Sequence, residues 1–314
     1  MSDSGNRPAY VIITPARNEE NNIGRLINCV ALQTCRPIKW VIVNDNSMDD
    51  TENVVDEFLT RFPWIELVTM RDVRDRSFSA KVDCFNAGLQ RLEALDYDII
   101  GNIDADVSFE ADYFEYLLGK FADDPRLGVA GTPFVEDSGY NSSRDSHEGE
   151  RHVAGGCQLF RRRCFNDIGG YRANRKGGID WIAVTTARMR GWTTRSFGEK
   201  TFHHHRSLGT GESNAWSAFF SYGRKDYYLG NHPLWEMFRI VFRMAKKPWI
   251  VSGSLLLAGY LYEAFRQEDR PVSAELVRFH RREEMHKLKS IFLSLLRDRG
   301  ESDKRAAADG EDRG

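Results

Sequence analysis

The chain has 314 residues, 41% of them hydrophobic, and a formal net charge of −2 at pH 7. This is enough apolar sequence for one large globular domain with an appendage. It excludes a protein that is disordered throughout for lack of a hydrophobic core. The balanced charge gives no reason to expect a nucleic acid as partner.

The charge is distributed unevenly. Residues 1–235 carry 28 Lys and Arg against 33 Asp and Glu, whereas residues 236–299 carry 13 against 8. A basic C-terminal region favours an anionic partner such as membrane phosphates, with solvated helix faces as the ordinary alternative. The five cysteines form no CxxC pair and the first ten residues lack an apolar signal core, so we expect reduced thiols and a cytosolic protein.

The first hundred residues alternate between two hydrophobic periods. Short apolar, mostly β-branched runs predict buried strands at 10–13, 40–43, 65–68 and 98–103. Helical spacing predicts helices over 22–32, from residue 50, and over 80–95. This alternation is typical of a largely parallel α/β sheet with helices on both faces. Ligands bind beyond the carboxyl ends of such strands, where TPARNEE, NDNSMDD and DAD stand.

The next stretches are less regular. Residues 128–134 predict a further strand, and residues 135–151 have no periodicity and predict a mobile loop. The dinucleotide fingerprint GxGxxG is absent after the first strand, as is the Walker A motif, which argues against a dehydrogenase or a P-loop enzyme.

Two aspartates, Asp104 and Asp106, follow the fourth predicted strand one residue apart. In extended chain both side chains point to the same side, so their repulsion requires a positive neighbour. Mg²⁺ or Mn²⁺ would supply it and would neutralise a leaving diphosphate. The alternative is a turn with two solvated acids.

The C-terminal region predicts membrane-associated helices. Residues 234–247 form an amphipathic pattern, with Leu234, Phe238, Val241 and Ala245 on one face and Arg239, Arg243, Lys246 and Lys247 on another. Residues 248–265 suit a monotopic or re-entrant hairpin, with a membrane span or a soluble helical subdomain as alternatives. Residues 271–296 predict a final amphipathic helix for packing or dimerisation, which leaves a homodimer open. The charged, Ala- and Gly-rich sequence from 299 to 314 predicts a disordered tail.

Five motifs together resemble family 2 glycosyltransferases. They are TPARNEE, VIVNDNSMDDT, AKVDCFNAG, NIDAD and GIDWIAVTTARMRGW, in the family's order, within residues 8 to 210. The resemblance implies a GT-A fold, a Rossmann-like, mostly parallel sheet flanked by helices. With the patterns above, we expect four segments: a flexible N-terminus (1–8), a catalytic domain (9–232), a helical, membrane-associating extension (233–298) and the tail (299–314).

The resemblance also implies a donor site. The residues expected to bind the nucleotide are Thr14, Pro15, Ala16, Arg17, Glu19, Asp45, Lys81, Asp104 and Arg206. Asp45 would accept a hydrogen bond from a base N–H, although a turn or capping role is the alternative. Lys81 would face a phosphate or an acid, or would be a surface lysine, and Ala80 replaces the glycine that usually precedes it. Asn86 and Gly88 also match the family pattern.

The metal ligands implied are Asp104 and Asp106 together with His204 or His205, for Mn²⁺ or Mg²⁺. In an extended segment His203 and His205 share one face and His204 takes the other. His204 is favoured by its H-x-R match, and a plain surface position for all three is the alternative. SLGTGES, residues 207–213, would form a lid.

The catalytic base implied is Asp180, although Ile179 replaces the acid that usually precedes it. An N-cap of a helix over 181–190 is the alternative, and it is compatible with catalysis. Gly155 and Gly156 would let the backbone approach the sugar.

The chain resembles bacterial family members of exopolysaccharide pathways through its C-terminal region as well. The resemblance implies an inverting, metal-dependent glycosyltransferase at the inner face of the cell membrane. The donor would be a nucleoside-diphosphate sugar, with a UDP-sugar favoured, and the acceptor a saccharide or lipid-linked saccharide for cell-surface polysaccharide. The alternatives are a sugar-phosphate nucleotidyltransferase, whose glycine-rich opening is missing here, and a nucleotide-binding protein without transfer activity.

Overall fold

The computed structural model describes residues 7–71, 78–145, 149–174, 176–206, 215–245, 249–266 and 268–311. The chain divides into two compact units, Met1–Glu212 and Ser213–Gly314. This boundary lies before the one implied at residue 232, because the helix that begins at Ala215 belongs to the second unit.

The first unit contains ten strands and seven helices within its described residues. The strands are β1 (Tyr10–Ala16), β2 (Lys39–Asp45), β3 (Ile65–Met70), β4 (Ile99–Ile103), β5 (Val107–Ser108), β6 (Leu127–Gly131), β7 (Phe134–Glu136), β8 (Cys157–Arg161), β9 (Thr193–Ser196) and β10 (Phe202–His204). The helices are α1 (Ile23–Ala31), α2 (Thr51–Leu59), α3 (Phe78–Gln90), α4 (Tyr113–Asp123), α5 (Ser142–Asp145), α6 (Arg162–Asp167) and α7 (Ile179–Met189).

Seven strands form the central sheet in the order β3-β2-β1-β4-β8-β6-β9. β8 is antiparallel to both neighbours, and the other pairs are parallel. The predicted α/β class with a mostly parallel sheet is therefore confirmed. β5, β10 and β7 form a second, three-stranded sheet in that order.

The alternation along β1 explains why helices cover both faces of the sheet. Tyr10 and Ile12 are buried in one hydrophobic cluster with helices α1 and α4, whereas Val11 and Ile13 are buried in the other with α3 and α7. At the end of the same strand, Thr14 remains in the core.

The first three helices begin within two residues of their predicted starts, but the further strand predicted at 128–134 is interrupted. It divides into β6 and β7 around Thr132 and Pro133, since proline has no backbone N–H for a sheet ladder. The predicted loop at 135–151 contains the short helix α5, and its residues 146–148 lie outside the described part.

The second unit is helical where it is described. Its helices are α8 (Ala215–Leu229), α9 (Pro233–Met244), α10 (Val251–Arg266) and α11 (Ala274–Glu311). The backbones of α8 and α10 approach closely at Gly223, since this residue has no Cβ. A Cβ added there would overlap the carbonyl oxygen of Leu256. In the described part of the chain, no helix combines the length and the apolar sequence needed to cross a bilayer.

Two predictions for this unit need correction. Arg239 was expected on a membrane-facing basic surface, but it forms ion pairs with Asp226 at 2.8 Å and Glu236 at 3.3 Å inside the helical unit. The tail predicted to be disordered from residue 299 is helical to Glu311, since an existing helix adds residues at little cost. Lys246 and Lys247 lie outside the described residues.

Candidate active site

Three loops meet at the carboxyl edge of the central sheet. β1 is parallel to both β2 and β4, so the residues that follow these strands converge. Asp45 ends β2, Arg17 follows β1, and Asp104 follows β4. The strand order changes direction at β1, which is where open α/β sheets bind their ligands.

The acidic pair is surrounded by basic side chains of the chain itself. Lys81 Nζ lies 2.5 Å from Asp104 Oδ1. Arg206 Nε lies 3.7 Å and His204 Nε2 3.5 Å from the carboxylate of Asp106, which is only 7% exposed. Lys81 thus faces an acid, one of the two partners expected for it. The expectation that a metal ion alone offsets the repulsion between Asp104 and Asp106 is therefore incomplete, because Lys81 and Arg206 also offset it.

The pKa values of the site follow from this crowding. Burial, reinforced by the charge of Asp104, raises the pKa of Asp106, and His204 and Arg206 only partly offset this. Burial alone would lower the pKa of Lys81, but Asp104, with further contributions from Asp180 and Asp106, raises it. Lys81 therefore remains charged near neutral pH.

The donor atoms around Asp106 suit a divalent cation. Asp104 and Asp106 offer carboxylate oxygens, and His204 offers an imidazole nitrogen. His204 Nδ1 is buried and forms no hydrogen bond within the described residues, and Glu136 Oε1 lies 3.9 Å from it. Two oxygens and one nitrogen form a donor set that fits Mn²⁺ and accommodates Mg²⁺.

The three histidines alternate across β10 as their spacing predicts. His204 faces Asp106, whereas His205 contacts Ser108 Oγ at 2.8 Å and stacks near His203. The contacts thus bring His204, and not His205, to the acidic pair. Burial, with the charges of Arg25 and His203, lowers the pKa of His205. The predicted lid at 207–213 lies outside the described residues.

The nucleotide-binding prediction is only partly matched by side-chain positions. Arg17 lies 3.3 Å from Asp45, which is nearly buried. Thr14 instead lies in the core, where its hydroxyl accepts a hydrogen bond from Trp40 Nε1 at 3.0 Å. Ala16 is also buried, and Pro15 is half-buried. The side chains of Thr14 and Ala16 are thus not available to a ligand, whereas Pro15 is partly accessible.

Arg206 connects two loops of the site. It donates a hydrogen bond to Glu19 at 2.9 Å and lies beside Asp106. Burial raises the pKa of Glu19, and the charge of Asp106 adds to this rise against the effects of Asn22 and Arg206. The guanidinium of Arg206 is thus held between Glu19 and Asp106, in a position to bind a phosphate.

Asp180 lies at the same site and is supplied by α7 rather than by a loop that follows a strand. It occupies the first turn of α7, whose N-cap is Gly178 in the left-handed conformation at φ 80°. The N-cap alternative for Asp180 is therefore wrong. A Cβ on Gly155 would lie 2.7 Å from Asp180 Oδ2, so the carboxylate is packed over that glycine. Asp180 also contributes to the raised pKa of Lys81.

Two partners in this site were not found from the sequence. Glu136, buried beside His204, stands in the aperiodic stretch after Pro133, where no spacing signal marks it. The contact between Gly155 and Asp180 joins residues distant in the chain, and only the paired glycines gave a hint of a close approach.

Comparison with known proteins follows the same residues. The sequence model of glycosyl transferase family 2 matches residues 11–180. The 4,4'-diaponeurosporenoate glycosyltransferase of Staphylococcus aureus (strain USA300) is 31% identical over 117 residues. The match spans 37% of this chain and 29% of that enzyme, so it covers less than a third of the relative's length.

Solved structures share the fold at low sequence identity. The mannosyltransferase PcManGT from Pyrobaculum calidifontis, in complex with GDP-Man and Mn²⁺, has a TM-score of 0.59 and 16% identity, over 85% of this chain and 90% of that one. S. aureus TarS 1–349 with UDP-GlcNAc has a TM-score of 0.53 and 14% identity, over 87% and 78%. GalNAc-T7 with UDP, GalNAc and Mn²⁺ has a TM-score of 0.58 and 13% identity, over 93% and 58%.

Proposed function

Because the chain belongs to glycosyl transferase family 2, we propose that it transfers a sugar, with inversion, from a nucleoside-diphosphate sugar to an acceptor hydroxyl. The observation that carries the proposal is the convergence of Asp104, Asp106 and Asp180 around Lys81 at the carboxyl edge of one sheet, with His204 beside Asp106. The family and the GT-A fold make the protein a glycosyltransferase, and the finer statements below belong to the proposal.

The donor's diphosphate binds at the acidic pair. Asp104, Asp106 and His204 hold a divalent cation, Mn²⁺ or Mg²⁺, which neutralises charge on the diphosphate when bound. Lys81 and Arg206 supply further positive charge to the same oxygens. Solved relatives that share the fold carry GDP-Man or UDP-GlcNAc, which supports a nucleotide-sugar donor.

The base of the donor is read by Asp45. Its carboxylate is nearly buried and lies beside Arg17, and its oxygens can accept a hydrogen bond from a base N–H. A UDP-sugar is the donor we favour, with the imino N–H of uracil donating to one oxygen of the Asp45 carboxylate. Guanine, which offers an N–H and an adjacent amino group, is the competing base.

Asp180 is the proposed general base. It takes the proton of the acceptor hydroxyl while the acceptor oxygen bonds to the anomeric carbon from the face opposite the diphosphate. The bond from that carbon to the phosphate oxygen breaks, and the nucleoside diphosphate leaves with the electron pair. Attack from the opposite face inverts the anomeric configuration. Its position in the first turn of α7 and the nearby charge of Lys81 both favour the ionised carboxylate that this role requires.

The acceptor is a saccharide or lipid-linked saccharide at the cytoplasmic face of the membrane. The second unit supports this, since α9, α10 and the residues just before α10 expose several large apolar side chains. Val241 is 63% exposed and Trp249 is 59% exposed. The surrounding region is net basic, which suits anionic headgroups. Peripheral binding of these helices to the inner leaflet is the proposal.

Sedimentation with vesicles tests the membrane proposal. The full chain is expected to co-sediment with phosphatidylglycerol vesicles more than with phosphatidylcholine vesicles. The double variant Val241→Gln, Trp249→Gln is expected to lose most of this binding. Leu32→Asn, which removes an exposed leucine of the first unit, is the matched control. Equal binding of the variant and the wild type would reject the membrane surface.

A product assay tests the transfer itself. The chain is incubated with Mn²⁺, a panel of UDP- and GDP-sugars and lipid-linked or free saccharides, and the anomeric configuration of the product is read by NMR. Inverted product is expected. Retained configuration would reject the role of Asp180. Release of inorganic pyrophosphate from a sugar phosphate and a nucleoside triphosphate would instead favour a nucleotidyltransferase, and nucleotide binding without any product would favour a binding protein.

A further inference from the structure

A second group of metal-ligating side chains lies on the opposite face of β10 from His204. His203 and His205 share that face because side chains alternate along a strand. β10 and β7 are parallel, with His204 opposite Glu136, so Asp137 continues on the same face as His205. We refer to Asp137, His203 and His205 as the aspartate–histidine cluster.

The side chains of this cluster lie close enough to share one ion. One ligand atom from each of the three residues lies within 4.8 Å of the others. His203 Nε2 is 3.1 Å from Asp137 Oδ1, and the two imidazole rings are 4.5 Å apart between centroids. Asp137 is 77% exposed, so its side chain has room to close on an ion.

Two features of the histidines indicate a metal ligand rather than a simple ion pair. His203 Nδ1 is buried and forms no hydrogen bond within the part of the chain that the structure describes. His205 Nε2 is already bound to Ser108 Oγ at 2.8 Å, which fixes the ring orientation. Orientation of a ligating imidazole by a hydrogen bond to its second nitrogen is typical of metal sites.

We propose that the aspartate–histidine cluster binds a divalent cation of the zinc class, separate from the cation at the acidic pair. Two imidazoles and one carboxylate, with a water as fourth ligand, form a donor set that Zn²⁺ prefers. The acidic pair offers mostly oxygens and therefore prefers harder ions. This site does not rest on the proposed transferase function.

An ion in this cluster would stabilise the segment at β10 that brings His204 and Arg206 to Asp106. A bound ion would join Asp137, which follows β7, to His203 and His205, the residues before and after His204. Arg206 is the next residue after His205. Zinc at the cluster therefore stiffens the segment that carries His204 and Arg206, a positioning role rather than a catalytic one.

Zinc competition tests the proposal without any activity measurement. The full chain, stripped of metal and free of nucleotide, is titrated with Zn²⁺ against a chromogenic chelator. One tightly bound Zn²⁺ per chain is expected, with a gain in melting temperature. Asp137→Asn combined with His203→Asn is expected to lower affinity about 100-fold or more, and Ser108→Ala about tenfold.

Variants of the acidic pair serve as the matched control. Asp104→Asn with Asp106→Asn is expected to leave zinc binding unchanged. The proposal is overturned if wild-type chain shows only weak, unsaturable binding, or if the acidic-pair variant loses zinc while the cluster variant retains it. Circular dichroism confirms that each variant is folded, and Ser108→Ala, which removes no ligand, provides the independent measurement if the double variant is not.

Discussion

Lys81 Nζ lies 2.5 Å from Asp104 Oδ1, so the first acid of the DAD motif is held by a lysine of the chain itself. The lysine stands in the first turn of α3, where a cation is unfavourable unless it faces an anion. The contact therefore places Lys81 in competition with any cation that Asp104 binds, and beside the phosphates that such a cation would bring.

Removal of Lys81 is expected to affect metal and nucleotide in opposite directions. Lys81→Met should strengthen binding of Mn²⁺ alone by about tenfold, because a charge-assisted hydrogen bond worth roughly 1.5–3 kcal/mol no longer opposes it. The same change should weaken binding of UDP or GDP with Mn²⁺, since one positive charge is lost from the phosphate site. Isothermal calorimetry measures both affinities.

Lys39→Met is the control, because Lys39 begins β2 at the opposite edge of the sheet and pairs with Glu66. It should change neither affinity. A Lys81→Met variant that binds both Mn²⁺ and nucleotide as the wild type does would mean that the lysine has no part in the donor site.

Asp180→Asn is expected to separate binding from transfer. The amide cannot accept the acceptor proton, so kcat should fall about 100- to 10,000-fold while donor affinity stays within a factor of about two. Steady-state transfer assays and nucleotide calorimetry measure the two effects. Asp56→Asn, on the exposed face of α2, should behave as wild type. Normal transfer by Asp180→Asn would show that another group is the base.

Gly155→Ala is expected to displace the proposed base without touching the donor. The new Cβ would lie 2.7 Å from Asp180 Oδ2, so the carboxylate has to move. A displacement of this size should lower kcat by about 100-fold, with nucleotide affinity unchanged. Transfer assays compare it with Gly198→Ala, whose Cβ meets nothing within 4 Å. Full activity of Gly155→Ala would show that the position of the Asp180 carboxylate does not limit the rate.

Stability of the second unit is expected to depend on the protonation of Glu236. Burial and the nearby Asp226 raise its pKa to about 7. The folded state therefore holds this proton more tightly than the unfolded state, so stability is greatest below the ordinary Glu pKa and falls as pH rises towards 7. Glu236→Gln should remove this loss and stabilise the chain at pH 8 by about 2–3 kcal/mol, with little effect at pH 5.

Thermal unfolding at pH 5 and pH 8 measures this difference. Glu57→Gln, an exposed position on α2, should unfold with the wild-type pH dependence. If Glu236→Gln were destabilised at pH 8, the carboxylate would be a stabilising charged partner of Arg239 there, and the sign of the raised pKa would be wrong.

The sequence was sufficient for those parts of the fold that local patterning determines. The short apolar runs of β1 to β4 and the helical spacing between them predicted the parallel sheet, and its strand ends predicted the site edge. The alternation of the three histidines likewise predicted that His204 stands apart from His203 and His205.

Contacts between distant residues could not be predicted in this way. Thr14 was assigned to the nucleotide pocket through a family resemblance, but its side chain faces Trp40 in the core because β1 continues past it. Asp180 was open to a capping role because no local signal showed that Gly178, two residues earlier, adopts the left-handed conformation. The pairing of Lys81 with Asp104 depends on tertiary packing of α3 against the sheet.

The central claim is that Asp104 and Asp106 hold the cation that binds the donor's diphosphate. Calorimetric titration of UDP and GDP into metal-free chain, with and without Mn²⁺, tests it most directly when wild type is compared with Asp104→Asn, Asp106→Asn. Mn²⁺ should tighten binding of one nucleotide at least about tenfold in the wild type and leave it unchanged in the variant. Nucleotide affinity that does not respond to Mn²⁺ in the wild type, or that responds equally in the variant, would contradict the claim.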